Sequence, residues 1–174
     1  TRNTPLGGFG NFAVGIWELY VRDPNADMYA MFQDDMETYI NLRPYLESCE
    51  YPERGYWNLY TFPCNTDQNT VGWKKSDQWG RGAVGLVFSN EALRAALSTS
   101  KFVDHRRDAH VGHKGIDKAI LNSLKLQGYQ EWVHNPSLVQ HTGEFSVIGN
   151  SRHPQAPYWM GSDFDAMSLL PQKW

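Results

Sequence analysis

Five apolar residues, Met28-Tyr29-Ala30-Met31-Phe32, run directly into Gln33-Asp34-Asp35. A run this short and apolar predicts a fully buried strand of the parallel-sheet kind, and its abrupt end places acidic oxygens at the mouth of that strand. Such a pair is compatible with a divalent metal ligand. It is equally compatible with a turn in which one Asp caps a following helix. Successive residues leaving a strand point in different directions, so one carboxylate, Asp35 by preference, would take a metal. Asp34 would then meet a sugar hydroxyl, a water or a backbone donor.

The surrounding pattern alternates. Phe9, Phe12, Ala13, Ile16, Trp17 and Tyr20 recur at three and four residues, the apolar face of a helix that runs to about Arg22 and stops at Asp23-Pro24. A short helix is expected over 41–49, with Pro44 in its first turn, and strands over 56–62 and 83–88. Ser89 is placed to cap a helix reaching Leu97, and Gly128 to close a helix over 116–127. A short strand is expected over 130–134. Residues 63–80 show little periodicity and read as one long loop, of the kind that in compact domains is usually functional or mobile, and the chain from Pro136 onward reads as mostly irregular. Helices alternating with strands define an α/β sheet that holds ligands at the carboxyl ends of its strands.

Chain length and charge exclude several classes. With 174 residues the chain suits one domain, 1–174, with an irregular C-terminal segment over 145–174. A formal charge of −3 supplies no basic stripe for nucleic acid. No apolar stretch approaches the roughly 20 residues of a membrane span, so a soluble chain is expected. Cys49 and Cys64 are too few for a disulfide framework and lack partners at zinc-finger spacing, which favours free thiols and a cytoplasmic setting. Aromatic residues reach 14%, and several, including Trp73, Trp79, Tyr158 and Trp159, fall in polar segments. Rings of this kind fill cores, and they also hold sugars.

Three further segments carry chemistry. Gly80-Arg81-Gly82 precedes the 83–88 strand and lets backbone N–H groups approach a ligand, with Arg81 beside a phosphate or carboxylate; it is also an ordinary glycine turn. The polar segment 105–117, with His110 and His113, places Asp117 in the first turn of a helix. There it favours the helix dipole or acts as a general base. His141, between Val139-Gln140 and Thr142-Gly143, supplies an imidazole that either completes a mixed oxygen–nitrogen metal site, which suits Mn²⁺ better than Mg²⁺, or is structural.

Taken in order, these motifs resemble the nucleotide-sugar-dependent glycosyltransferases of the GT-A fold. The likeness rests on Phe32-Gln33-Asp34-Asp35, Gly55-Tyr56-Trp57-Asn58-Leu59-Tyr60-Thr61-Phe62-Pro63 and Asn135-Pro136-Ser137-Leu138-Val139-Gln140-His141-Thr142-Gly143, runs similar to those of bacterial members. The resemblance implies a Rossmann-related mixed sheet flanked by helices and metal-dependent transfer of a sugar from a nucleoside-diphosphate donor to a hydroxyl acceptor, with inversion. Asp35 and His141 would hold Mn²⁺ or Mg²⁺, and Asp117 would be the base. Asp34, Gly7, Gly8, Asn11, Gly80, Arg81 and Gly82 would lie at the donor, and Trp79 and Trp73 at the acceptor. Gln33 departs from the DXD-like pattern, whose first position is usually acidic, so metal ligation would lean on Asp35.

The same resemblance implies a preceding strand–helix–strand half that grips the nucleotide base. The chain begins near Arg2-Asn3 and Leu6-Gly7-Gly8, after most of that half, which predicts a fold truncated at its N-terminus and either self-association or a partner supplying the missing part. A non-catalytic carbohydrate-binding or assembly module on a reduced GT-A fold is the second class, and a metal-dependent hydrolase the third.

Overall fold

A computed structural model describes residues 6–107, 115–143 and 153–171. Arg2, Asn3, His110 and His113 lie outside the described residues. The first helix, α1 (Gly7–Arg22), buries Phe9, Phe12, Ala13 and Ile16, the stripe its spacing predicts. It ends at Asp23, whose N–H donates to the Leu19 carbonyl. Then follow β1 (Met28–Phe32), β2 (Met36–Thr38), α2 (Leu42–Ser48), β3 (Gly55–Asn58), β4 (Gly72–Lys75) and β5 (Gly85–Ser89). The remaining elements are α3 (Asn90–Leu97), α4 (Ser100–Arg107), α5 (Ile116–Lys125), β6 (Gln130–Asn135) and β7 (Val139–His141), with single 3₁₀ turns at Pro63–Asn65 and Ala166–Leu169.

The main sheet is mixed, in the order β1-β5-β3-β6-β4, and only β3 and β6 run parallel. Its two faces carry separate cores. Tyr56, Leu86 and Phe88 face α1, α3, α4 and α5, whereas Trp57, Val87 and Leu59 face α2, Leu138, Val139 and Ala166. Alternation along β3 and β5 thus serves both sides. Ser89 caps α3, its Oγ accepting the Ala92 N–H at 3.1 Å, a bond worth about 1 kcal/mol. Past the end of α5, the Tyr129 N–H returns to the Leu124 carbonyl at 3.2 Å with Gly128 at φ +82°, a left-handed turn that suits glycine. Among the described residues, no helix is long and apolar enough to cross a membrane.

Several expectations are corrected. Met28–Phe32 is neither parallel nor fully buried: it is an edge strand antiparallel to β5, with Tyr29 buried and Met28 and Phe32 exposed. Apolar composition cannot separate a central strand from a rim strand whose outer residues border a recess. After β1 the chain enters β2, so neither Asp34 nor Asp35 caps a helix. The 63–80 segment is not a continuous loop. It contains β4, whose Gly-Trp-Lys-Lys sequence has little strand character of its own and is held by pairing with β6. The chain beyond Pro136 adds β7, which pairs with β2 in a second, two-stranded sheet.

Candidate functional site

Topology gathers the chemistry-bearing segments at one end of the main sheet. Gln33 follows the C-terminal end of β1, and its N–H donates to the carbonyl of Val84, just ahead of β5. Leu59 follows β3 and accepts N–H groups from Leu138 and Val139, which follow β6. The acidic turn, the glycine loop and the His141 segment therefore share the edge formed by the ends of β1, β3 and β6 and the start of β5.

The β2–β7 ribbon sets the first pair. Met36 lies opposite His141, and the Thr142 N–H donates to the Asp35 carbonyl at 3.0 Å. Nε2 of His141 consequently stands 3.5 Å from Oδ2 of Asp35. His141 is buried and Asp35 half-exposed, while Asp34 is exposed. Burial pulls the imidazole pKa down; the Asp35 charge opposes this and His153 adds to it. The His153 ring stacks on that of His141 with centroids 4.0 Å apart. Since the Gly143 N–H donates to Nδ1 at 3.1 Å, the proton of the neutral ring lies on Nε2, facing Asp35. A carboxylate oxygen and a neutral imidazole nitrogen opposed in this way suit Mn²⁺. Binding at Nε2 would move the ring proton to Nδ1 and release the Gly143 amide. Among the described residues, no group of three His, Cys, Asp or Glu side chains converges for a metal.

The second constellation centres on Asp117. Its Oδ2 accepts the Gly82 N–H at 2.6 Å. Burial raises the pKa of this carboxyl, and the N–H groups of Gly82 and Ala83 offset part of that rise. Both loop glycines are required by space and conformation. A Cβ at Gly80, φ +64°, would stand 2.7 Å from the Asp117 carbonyl oxygen, and one at Gly82, φ +72°, would stand 2.3 Å from Cδ1 of Tyr60. The amino end of α1 approaches the same helix start, because a Cβ on Gly8 would meet Ile116 Cδ1 at 3.7 Å. Gly7 and Asn11 are exposed there.

Glu131 escaped the sequence reading. It is 2% exposed, and it organises the loop from below. Oε2 accepts the Ser76 hydroxyl at 2.6 Å and Oε1 accepts Nδ2 of Asn58 at 3.2 Å, while the same amide donates to the Arg81 carbonyl at 2.9 Å. Gln78, at φ +59°, exchanges two hydrogen bonds with the Glu131 backbone. Burial raises the Glu131 pKa; the Ser76 and Asn58 bonds oppose the rise and the Asp117 charge adds to it. The available signal was an acid at an alternate position of a strand whose other members, Val133 and Asn135, face inward.

The two tryptophans diverge. Trp73 lies on β4, half-buried, stacked on Tyr51 at 5.6 Å and edge-on to His134 at 5.0 Å, so it packs against the second core. Trp79 stands 60% exposed in the loop. Trp159 stacks on Tyr39 at 4.2 Å, and the cysteines are free. A recess of about 1020 Å³ runs along β1 and α2, and its lining residues Phe32 and Met36 bracket the acidic turn.

No protein-family model matches this chain, and neither a curated protein nor a solved structure does. The class its architecture defines is a mixed α/β domain with helices flanking the sheet.

Proposed function

We propose that this chain is the catalytic core of a metal-dependent glycosyltransferase on a GT-A-like fold, moving a sugar from a nucleoside-diphosphate donor to a hydroxyl acceptor with inversion. The observation that carries this reading is the convergence of Asp34-Asp35, His141, the 80–82 loop and Asp117 at one end of the sheet. These segments lie far apart in sequence, and a transferase needs all of them together.

Asp35 and His141 would hold the divalent ion, which when bound would neutralise charge on the departing diphosphate. Asp117 accepts the proton of the acceptor hydroxyl as that oxygen bonds to the anomeric carbon. The bond from that carbon to the diphosphate oxygen breaks, and its electron pair leaves with the phosphate. A carboxyl with a raised pKa is a stronger base once ionised, and the Gly82 N–H fixes its direction. Positioning of the two substrates supplies much of the remaining acceleration.

Thermal stabilisation by UDP-, GDP- and dTDP-sugars, with CMP-sugars as donors lacking a diphosphate, tests the reading. A ligand at a hundred times its Kd stabilises by about 2.7 kcal/mol. At least one diphosphate sugar should raise the melting temperature with Mn²⁺ and fail to do so in Asp35→Ala. Equal stabilisation without metal, or none with any donor, would overturn it.

A further inference from the structure

Trp79 is not a bare ring. Lys118 Nζ lies 5.7 Å from its centroid and the guanidinium carbon of Arg81 6.0 Å, and that guanidinium also sits 5.2 Å from the ring of Phe62. Two cations thus lie over the one widely exposed aromatic ring of the 76–82 loop, and Lys118 follows Asp117 on its helix.

The arrangement is held from behind by Asp77. Its Oδ1 accepts the Trp79 N–H at 3.1 Å and its Oδ2 accepts Nε of Arg81 at 3.0 Å, while the Asp77 N–H is anchored by Asn65 Oδ1 at 2.8 Å. Burial pushes the Asp77 carboxyl up, and the bonds from Cys64, Trp79, Arg81 and Asn65 together bring it below its usual range. Asp77 engages Arg81 through Nε, the guanidinium carbon lies near the rings of Phe62 and Trp79, and the side chain is 40% exposed, so the terminal nitrogens form a fork beside Trp79. A fork of this kind matches the two oxygens of a carboxylate or phosphate. Among the described residues, Lys118 enters no ion pair.

We infer that the acceptor is an anionic sugar, whose ring lies on Trp79 and whose carboxylate or phosphate is taken by Arg81 and Lys118. This rests on the transferase reading above and reassigns Arg81 from donor to acceptor. The loop itself separates the two roles. Its early residues, Asp77 to Arg81, lie beside Asn65 and Phe62, whereas its end reaches Val84 next to Gln33 and the Asp35–His141 pair that takes the diphosphate. An aromatic face alone would accept any sugar. Two cations beside it favour a negative one.

The test uses the full chain labelled with ¹⁵N at tryptophan, titrated with methyl glucuronide, methyl glucoside 6-phosphate and neutral methyl glucoside while the Trp79 indole signal is followed. The expected result is that at least one acidic probe binds ten-fold or more tightly than the neutral one, with that gap lost at high salt. Arg81→Lys, which keeps the charge without the fork, should weaken the acidic probe several-fold, and Lys118→Gln should do likewise. The stronger acidic probe identifies carboxylate or phosphate as the source. Equal binding of the neutral probe, no perturbation of Trp79 by either acidic probe, or displacement of the acidic probe by inorganic pyrophosphate would overturn the assignment. Metal-dependent donor turnover in the same preparation separates the two claims. Turnover without acidic preference removes only the acceptor class, and acidic preference without turnover removes the transferase reading.

Discussion

The backbone N–H of Gly82 donates to Oδ2 of Asp117 over 2.6 Å, which makes the glycine loop and the first turn of α5 a single unit. The loop is further tied to β3 and β6 by Asn58 and Glu131. A carboxylate carried on a helix is in this way held in register with residues that precede β5.

Gly82→Ala strikes that unit directly. The added Cβ meets Tyr60 at a backbone conformation unsuited to alanine, so a loss of about 3 kcal/mol in urea unfolding is expected. Gly8→Ala makes only ordinary contact within α1 and should stabilise by about 0.5–1 kcal/mol. Equal effects of the two would contradict the packing described.

Glu131→Ala leaves the Ser76 hydroxyl and one Asn58 hydrogen buried without their acceptor, and a cost of about 3 kcal/mol is expected. Glu131→Gln retains one acceptor oxygen and no buried charge, so it should cost less. Denaturation of both variants checks the order, and a neutral Glu131→Ala would contradict the role assigned to this side chain.

His134 gives a pH signature. Tyr45 lies 2.6 Å from its Nε2 and the Pro136 carbonyl 2.7 Å from Nδ1; burial holds its pKa at about 4 against an ordinary 6.5. The folded value is depressed, so the unfolded chain takes up the proton first. This stability is complete above pH 6.5 and is lost as pH falls toward 4, by about 3 kcal/mol in all. Asp117 and Glu131, with raised values, act in the opposite sense. The difference between the stability–pH curves of the wild type and His134→Gln isolates the histidine, and parallel curves from pH 7 to 4 would contradict its buried neutral state.

Legibility in the sequence followed locality. The α1 stripe, the Ser89 cap and the Gly128 stop were readable because each is decided within a few residues. β4 and β7 were not, because Gly72-Trp73-Lys74-Lys75 and Val139-Gln140-His141 become strands through partners more than 50 residues away. The same rule governs the site. Asp35, His141, Gly82 and Asp117 could be named as candidates, yet nothing local shows that Asp35 opposes His141 or that Gly82 meets Asp117. Glu131 was missed because its function depends on Ser76 and Asn58, which only the folded sheet brings to it, and Trp73 differs from Trp79 only through burial.

The most direct measurement of the central claim is release of nucleoside diphosphate from a panel of nucleotide sugars, with and without Mn²⁺, in the wild type, Asp35→Ala and Asp117→Asn. The account predicts metal-dependent release in the wild type, lost in Asp35→Ala and lowered at least a hundred-fold in Asp117→Asn, about 2.7 kcal/mol of barrier. Release that is independent of metal, or undiminished in both variants, would contradict it.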